Sequence, residues 1–70
     1  MDALTRMQGH NGLGRGLTTF PDGDEAQQAE HAECLALEAS GKAQRHVEGV
    51  RHSEADGPTG TLFVIWMPTE

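Results

Sequence analysis

The chain has 70 residues, a single cysteine, and eleven acidic residues against five lysines and arginines, for a formal net charge of −6. A chain this short buries only about 60% of its unfolded surface, so it forms one small domain at most, and the lone Cys34 removes an internal disulfide as support. The charge balance also disfavours a protein that holds nucleic acid through its average field, because such affinity draws on Lys and Arg neutralising phosphates.

Residues 1–20 read as a flexible, Gly-rich N-terminal arm ahead of a domain at 21–70. Gly9, Gly12, Gly14 and Gly16 interrupt any helix, leaving one short turn at Asp2–Gln8. Leu13, Leu17 and Phe20 are apolar enough to pack the end of the arm against a core. Gly12-Leu13-Gly14-Arg15-Gly16 lacks the preceding strand, the Gly-x-x-Gly spacing and the Gly-Lys-Ser/Thr ending of a phosphate loop. The opening Met1-Asp2-Ala3-Leu4-Thr5-Arg6 has no basic start followed by an apolar core, and no run approaches the about 20 apolar residues that span a bilayer. With one unpaired cysteine, these features lead to the expectation of a soluble, cytoplasmic protein.

Pro21-Asp22-Gly23-Asp24 predicts a turn followed by a helix start, with Asp22 or Asp24 capping the first amides and Glu25 completing a capping-box-like pair with Asp22. From Asp24 to Ser40 there is no Gly, Pro or β-branched residue, and Gly41 is placed to stop the helix, with Lys42 just beyond. The spacing predicts a helix over about 24–40. Its expected buried face is Ala29, Ala32, Leu35, Ala36 and Ala39, widened by Ala26, Cys34 and Leu37, with Glu30 and Glu38 opposite and Glu25 and Glu33 on the flanks.

Strands are predicted over about 43–51 and 61–67. In the first, alternation sets Ala43, Arg45, Val47, Gly49 and Arg51 against Gln44, His46, Glu48, Val50 and His52. Residues 53–60 form a loop by composition. The second strand, Thr61-Leu62-Phe63-Val64-Ile65-Trp66-Met67 between Gly60 and Pro68, is the one continuous apolar run and wants cover on both faces. Phe63, Ile65 and Met67 share one face, and Leu62, Val64 and Trp66 the other. The fold class expected is α+β: one helix packed on a two-stranded antiparallel hairpin.

The succession of this helix, Leu37-Glu38-Ala39-Ser40-Gly41-Lys42, a loop, and Gly60 to Pro68 resembles the recognition-helix-and-wing half of winged-helix DNA-binding domains, over residues 24–68. The resemblance implies a DNA-binding regulator in which exposed helix side chains enter the major groove and the wing touches backbone. Lys42, Arg45 and Arg51 are the residues such a wing would offer to phosphates. The chain departs from the pattern in lacking a convincing pair of helices before the recognition helix. It also has no Lys or Arg between Asp24 and Ser40, where Glu25, Glu30, Glu33 and Glu38 stand.

His31 and Cys34, three residues apart on the helix, could join His46 and His52 as metal ligands, but no Cys-x-x-Cys or His-Glu-x-x-His frame holds them. The expectation is no metal, no cofactor and no enzymatic activity, since a core this small hardly makes a pocket. Two faces of apolar strand with one helix to cover them point instead to a partner. The function expected is a small acidic protein–protein interaction module: an inhibitor, adaptor or accessory protein, a homodimer, or an acidic mimic of nucleic acid. Phe63, Ile65, Trp66 and Met67 would carry affinity, and Glu30 and Glu33 specificity.

Overall fold

Five elements follow one another in the computed structural model, which describes residues 2–9, 16–52 and 60–69: α1 (Ala3–Gln8), β1 (Leu17–Thr19), α2 (Glu25–Ala39), β2 (Ala43–Arg51) and β3 (Thr61–Pro68). The class is α+β, as the residue pattern predicts. The sheet, however, has three strands rather than two, in the order β1-β3-β2 and antiparallel throughout. Its third strand comes from within the expected arm, and so does α1, whose Ala3 and Met7 are fully buried. The Gly16 amide donates to the Met7 carbonyl at 3.1 Å, tying the start of β1 to the end of α1. Residues 10–15, and with them all of the glycine-rich motif but Gly16, lie outside the described residues.

Local chemistry explains where the helices begin and end. Asp2 caps α1 by accepting from the Thr5 amide. Asp24 caps α2 in a full capping box: its carboxylate accepts from the Gln27 amide, and Gln27 accepts from the Asp24 amide, each at 2.9 Å. The box therefore pairs Asp24 with Gln27, not Asp22 with Glu25. At the other end Gly41 (φ 80°) donates to the Glu38 carbonyl and Lys42 to that of Leu37. This is a Schellman ending that a residue with a Cβ would strain.

Both helices lie on one face of the sheet. The core between them holds Ala3, Met7, Cys34, Ala43, Val64 and Trp66, with Leu17 and Leu37 packed against it. Trp66, at 0% exposure, donates its indole N–H to the Thr19 hydroxyl at 2.9 Å, and that hydroxyl meets His31 Nδ1 at 2.8 Å. The His31 ring lies tilted against Trp66 at 5.6 Å, and the Arg45 guanidinium sits 5.1 Å from the indole centroid. No buried side-chain polar atom among the described residues lacks a partner, as a small core must arrange when every orphan costs about 1–3 kcal/mol.

The buried face of α2 differs from the expected one. Cys34 is its only fully buried residue, flanked by the half-buried Glu30, His31, Leu37 and Glu38, while Ala26, Ala29, Ala32, Leu35, Ala36 and Ala39 face solvent. An alanine methyl contributes only about 0.8 kcal/mol on burial, too little to orient a helix against directed bonds. Here Glu30 pairs with Arg6, Glu33 accepts from the Ala3 amide at 2.9 Å, His31 meets Thr19, and Glu38 pairs with Arg45. Those four bonds, together with the packing of Cys34 and Leu37 in the core, fix which side of α2 meets α1 and the sheet.

The alternation in β2 is also broken. Arg45 is opposite Trp66 and Val47 is opposite Ile65, so His46 is an extra residue in a bulge. Past it the phase shifts. Ala43, Arg45, Glu48 and Val50 lie on the helix side, and Gln44, Val47, Gly49 and Arg51 on the other. Alternation that runs unbroken through 43–51 misassigns the second half of the strand.

Candidate functional site

The face of the sheet turned away from the helices is built from alternate residues of each strand. β3 supplies Phe63, Ile65 and Met67, β2 supplies Gln44, Val47, Gly49 and Arg51, and β1 supplies Thr18. No described element covers it. The register makes it apolar along its middle, where Val47 is opposite Ile65 and remains 42% exposed.

Two glycines shape this surface. Phe63 lies across Gly49, where an added Cβ would touch the ring at 3.4 Å. Arg51 in turn lies over Phe63, 5.9 Å from the ring centroid. On the opposite side Met67 lies over Gly16, where an added Cβ would come within 2.8 Å of its sulfur. Side chains that would otherwise stand up from the central strand thus lie flat over the neighbouring backbone. They are half-buried within a single layer.

Charge divides between the two sides of the molecule. Among the described residues, Asp2, Glu30 and Glu33 belong to the helix layer, Asp22, Asp24 and Glu25 to its leading turn, and Glu38 and Glu48 surround Arg45 on the helix side of the sheet. The open face carries no described carboxylate. Its charged group is Arg51, joined by Lys42, which precedes β2 in the alternation of Gln44.

The residues singled out from sequence therefore separate. Phe63, Ile65 and Met67 come together on the open face. Trp66 does not; it is core, and no surface presents it. Glu30 and Glu33 hold α1 onto α2 through Arg6 and the Ala3 amide. Arg45 is held by Glu38 and Glu48, at 3.3 and 2.7 Å, and by the Trp66 ring. These hydrogen bonds to both carboxylates raise the Arg45 pKa further and keep the group charged. Lys42 and Arg51 are outside the described ion pairs.

The metal candidates His31, Cys34, His46 and His52 are not brought into one cluster among the described residues. Burial first, then Glu30 and Glu33, push the Cys34 thiol up to about 11, the opposite of an activated nucleophile. Sequence reasoning missed Val47 and Gly49 as members of the face because the bulge that places them leaves no mark in composition.

The edges are less inviting than the face. β3 is the central strand and has neighbours on both sides, so it offers a partner a face and no edge. Of the outer strands, β1 has three residues, and β2 carries a bulge with Arg45, Glu48 and Arg51. Short, bulged and charged edges resist strand addition. No helix among the described residues is long and apolar enough to cross a membrane. Comparison with protein-family models, with curated proteins and with solved structures gives no match.

Proposed function

We propose that the protein is a small acidic interaction module that works by binding another polypeptide, with no catalysis of its own, in the manner of an inhibitor, adaptor or accessory protein. The observation that carries this reading is the open sheet face: Phe63, Ile65, Met67 and Val47 form a flat apolar surface free of described carboxylates on a chain of net charge −6. An apolar sheet face left half-exposed on a small domain is the kind of surface a partner covers. The acids on the far side keep the free protein soluble. The test is light scattering over a concentration series together with binding of an apolar fluorescent dye. A protein that stays monomeric at high micromolar concentration and binds no dye would refute the proposal.

A second reading, a winged-helix-like DNA-binding regulator, draws on Lys42 and Arg51, which lie outside the described ion pairs. Its weakness is Arg45, already engaged by two carboxylates, and the α2 surface, where Glu25, Gln28 and Glu33 flank exposed alanines. Salt-sensitive DNA binding that is lost on Lys42→Ala plus Arg51→Ala would favour it. A mobility-shift assay that shows no complex at low salt would remove it.

A further inference from the structure

The occupant of the open face can be specified further, and this step rests on the binding reading above. The molecule has two layers, and each leaves a surface bare on its outer side. On the sheet side it is the apolar face bracketed by Lys42 and Arg51. On the helix side it is the outer face of α2, where Leu35 is 39% exposed beside Ala29, Ala32, Ala36 and Ala39, with Glu25 at the start of the same face.

We propose that the open sheet face docks the outer face of α2 from a second copy of this chain, a head-to-tail contact that repeats from copy to copy. Charge complementarity selects this occupant. A face with two cations and no described carboxylate meets an apolar helix surface that carries Glu25, so the acidic chain finds an attractive surface on itself. Dimensions agree. The 15 residues of α2 span about 22 Å at a rise of about 1.5 Å each, and the 8 residues of β3 span about 26 Å. Small side chains on the helix and flattened side chains on the sheet let the two backbones approach closely.

A symmetric sheet-to-sheet dimer fits less well. It would bring Lys42 and Arg51 of both copies into one interface without a described acid to meet them, and would leave Leu35 and the alanines of α2 bare. Because the two docking surfaces are on opposite sides of each molecule, two copies cannot satisfy the contact mutually, and each pair leaves one of each surface free. The contact builds chains of copies. One helix face against one sheet face makes a small interface beside the about 800 Å² per partner of a standard one, so each contact is weak and association depends on concentration.

The test uses the intact chain and two variants on exposed positions, Val47→Glu on the sheet face and Ala36→Glu on α2, each first matched to the parent in melting temperature and Trp66 emission. Leu35→Gln and Arg51→Glu serve as replacements if either variant is not native-like. By sedimentation, the parent is expected to form a series of oligomers that grows with concentration and shrinks with added salt. Each variant alone is expected to lose association at least tenfold. Mixed in equal amounts, the two should form a one-to-one dimer that grows no further, because each retains the surface the other lacks. Loss of association in Val47→Glu but not in Ala36→Glu, with no recovery on mixing, would overturn the head-to-tail contact while keeping the open face as a docking site. A parent that is monomeric yet binds apolar dye would overturn self-recognition and likewise keep the binding reading. A parent that is monomeric and binds no dye would overturn both.

Discussion

Thr19 is the residue on which the core depends most narrowly, and replacing it by valine isolates one hydroxyl. The residue is 0% exposed, and its oxygen accepts the Trp66 indole N–H at 2.9 Å while facing His31 Nδ1 at 2.8 Å. Valine keeps the shape and removes both bonds. Trp66, itself 0% exposed, then has a buried donor with nothing to receive it, a cost of about 1–3 kcal/mol. The His31 bond adds less, because that ring is half-buried and water can replace the hydroxyl. A loss of about 2 kcal/mol is expected, out of a total of about 4–10 kcal/mol for a domain of this size. With about 4–8 °C per kcal/mol for small domains, the melting temperature should fall by about 8–16 °C. Thr19→Ser keeps the hydroxyl and gives up one methyl, about 1 kcal/mol, so it should fall between valine and the parent. Trp66 is the only tryptophan and there is no tyrosine, so its emission during thermal unfolding reports on this site directly. Thr19→Val melting within about 2 °C of the parent, or Thr19→Ser proving the worse of the two, would refute the account of the core.

Three further outcomes follow from the same geometry. Arg45→Met keeps the stem but removes the charge over Trp66 and the exposed pairs with Glu38 and Glu48. A loss of about 1 kcal/mol in urea unfolding is expected, and it should shrink but persist at about 1 M salt, since the ring contact survives where surface pairs are screened. Gly16→Ala should destabilise by more than about 1 kcal/mol, because its φ is 81° and the new Cβ would crowd the Trp66 carbonyl and the Met67 sulfur. Gly49→Ala, whose Cβ only reaches ordinary contact with Phe63, should be neutral or stabilise by about 0.5 kcal/mol, and thermal melts of the two distinguish them.

Cys34 should resist thiol reagents at pH 8 in the folded protein and react readily in denaturant. Its thiol ionises at about 11 in the fold against 9.0 ordinarily, so between those values the unfolded chain loses the proton and the native one keeps it. Stability therefore falls as pH rises across that window, a dependence that Cys34→Ala should abolish. Rapid labelling of the native protein would refute the burial.

How much of this was legible in the chain varies by element. The helix over 24–40 and its stop at Gly41 were readable, because left-handed stops are local, while the cap was legible only as Asp22 or Asp24, since both acids precede the helix and the box that chooses Asp24 is closed by Gln27. The strand at 61–67 and its division into two faces were readable too, since side chains alternate whatever surrounds them. The start at Asp2–Gln8 showed only as a turn, because six residues carry too little pattern to announce a helix that tertiary contacts complete.

Composition and periodicity alone determined the α+β class, the acidic surface and the mismatch between one apolar strand and its available cover. Tertiary structure decided which face of that strand became core, and put Trp66 inside where Thr19 and His31 could satisfy it. It made β3 the central strand by adding β1, shifted the phase of β2 at His46, and turned the alanines of α2 outward. The physical reason is common to all of these. Each depends on a bond or contact between residues far apart in sequence, Thr19 with Trp66, Glu33 with Ala3, Leu17 opposite Trp66, and energies of about 1 kcal/mol apiece leave no periodic trace in the chain that makes them.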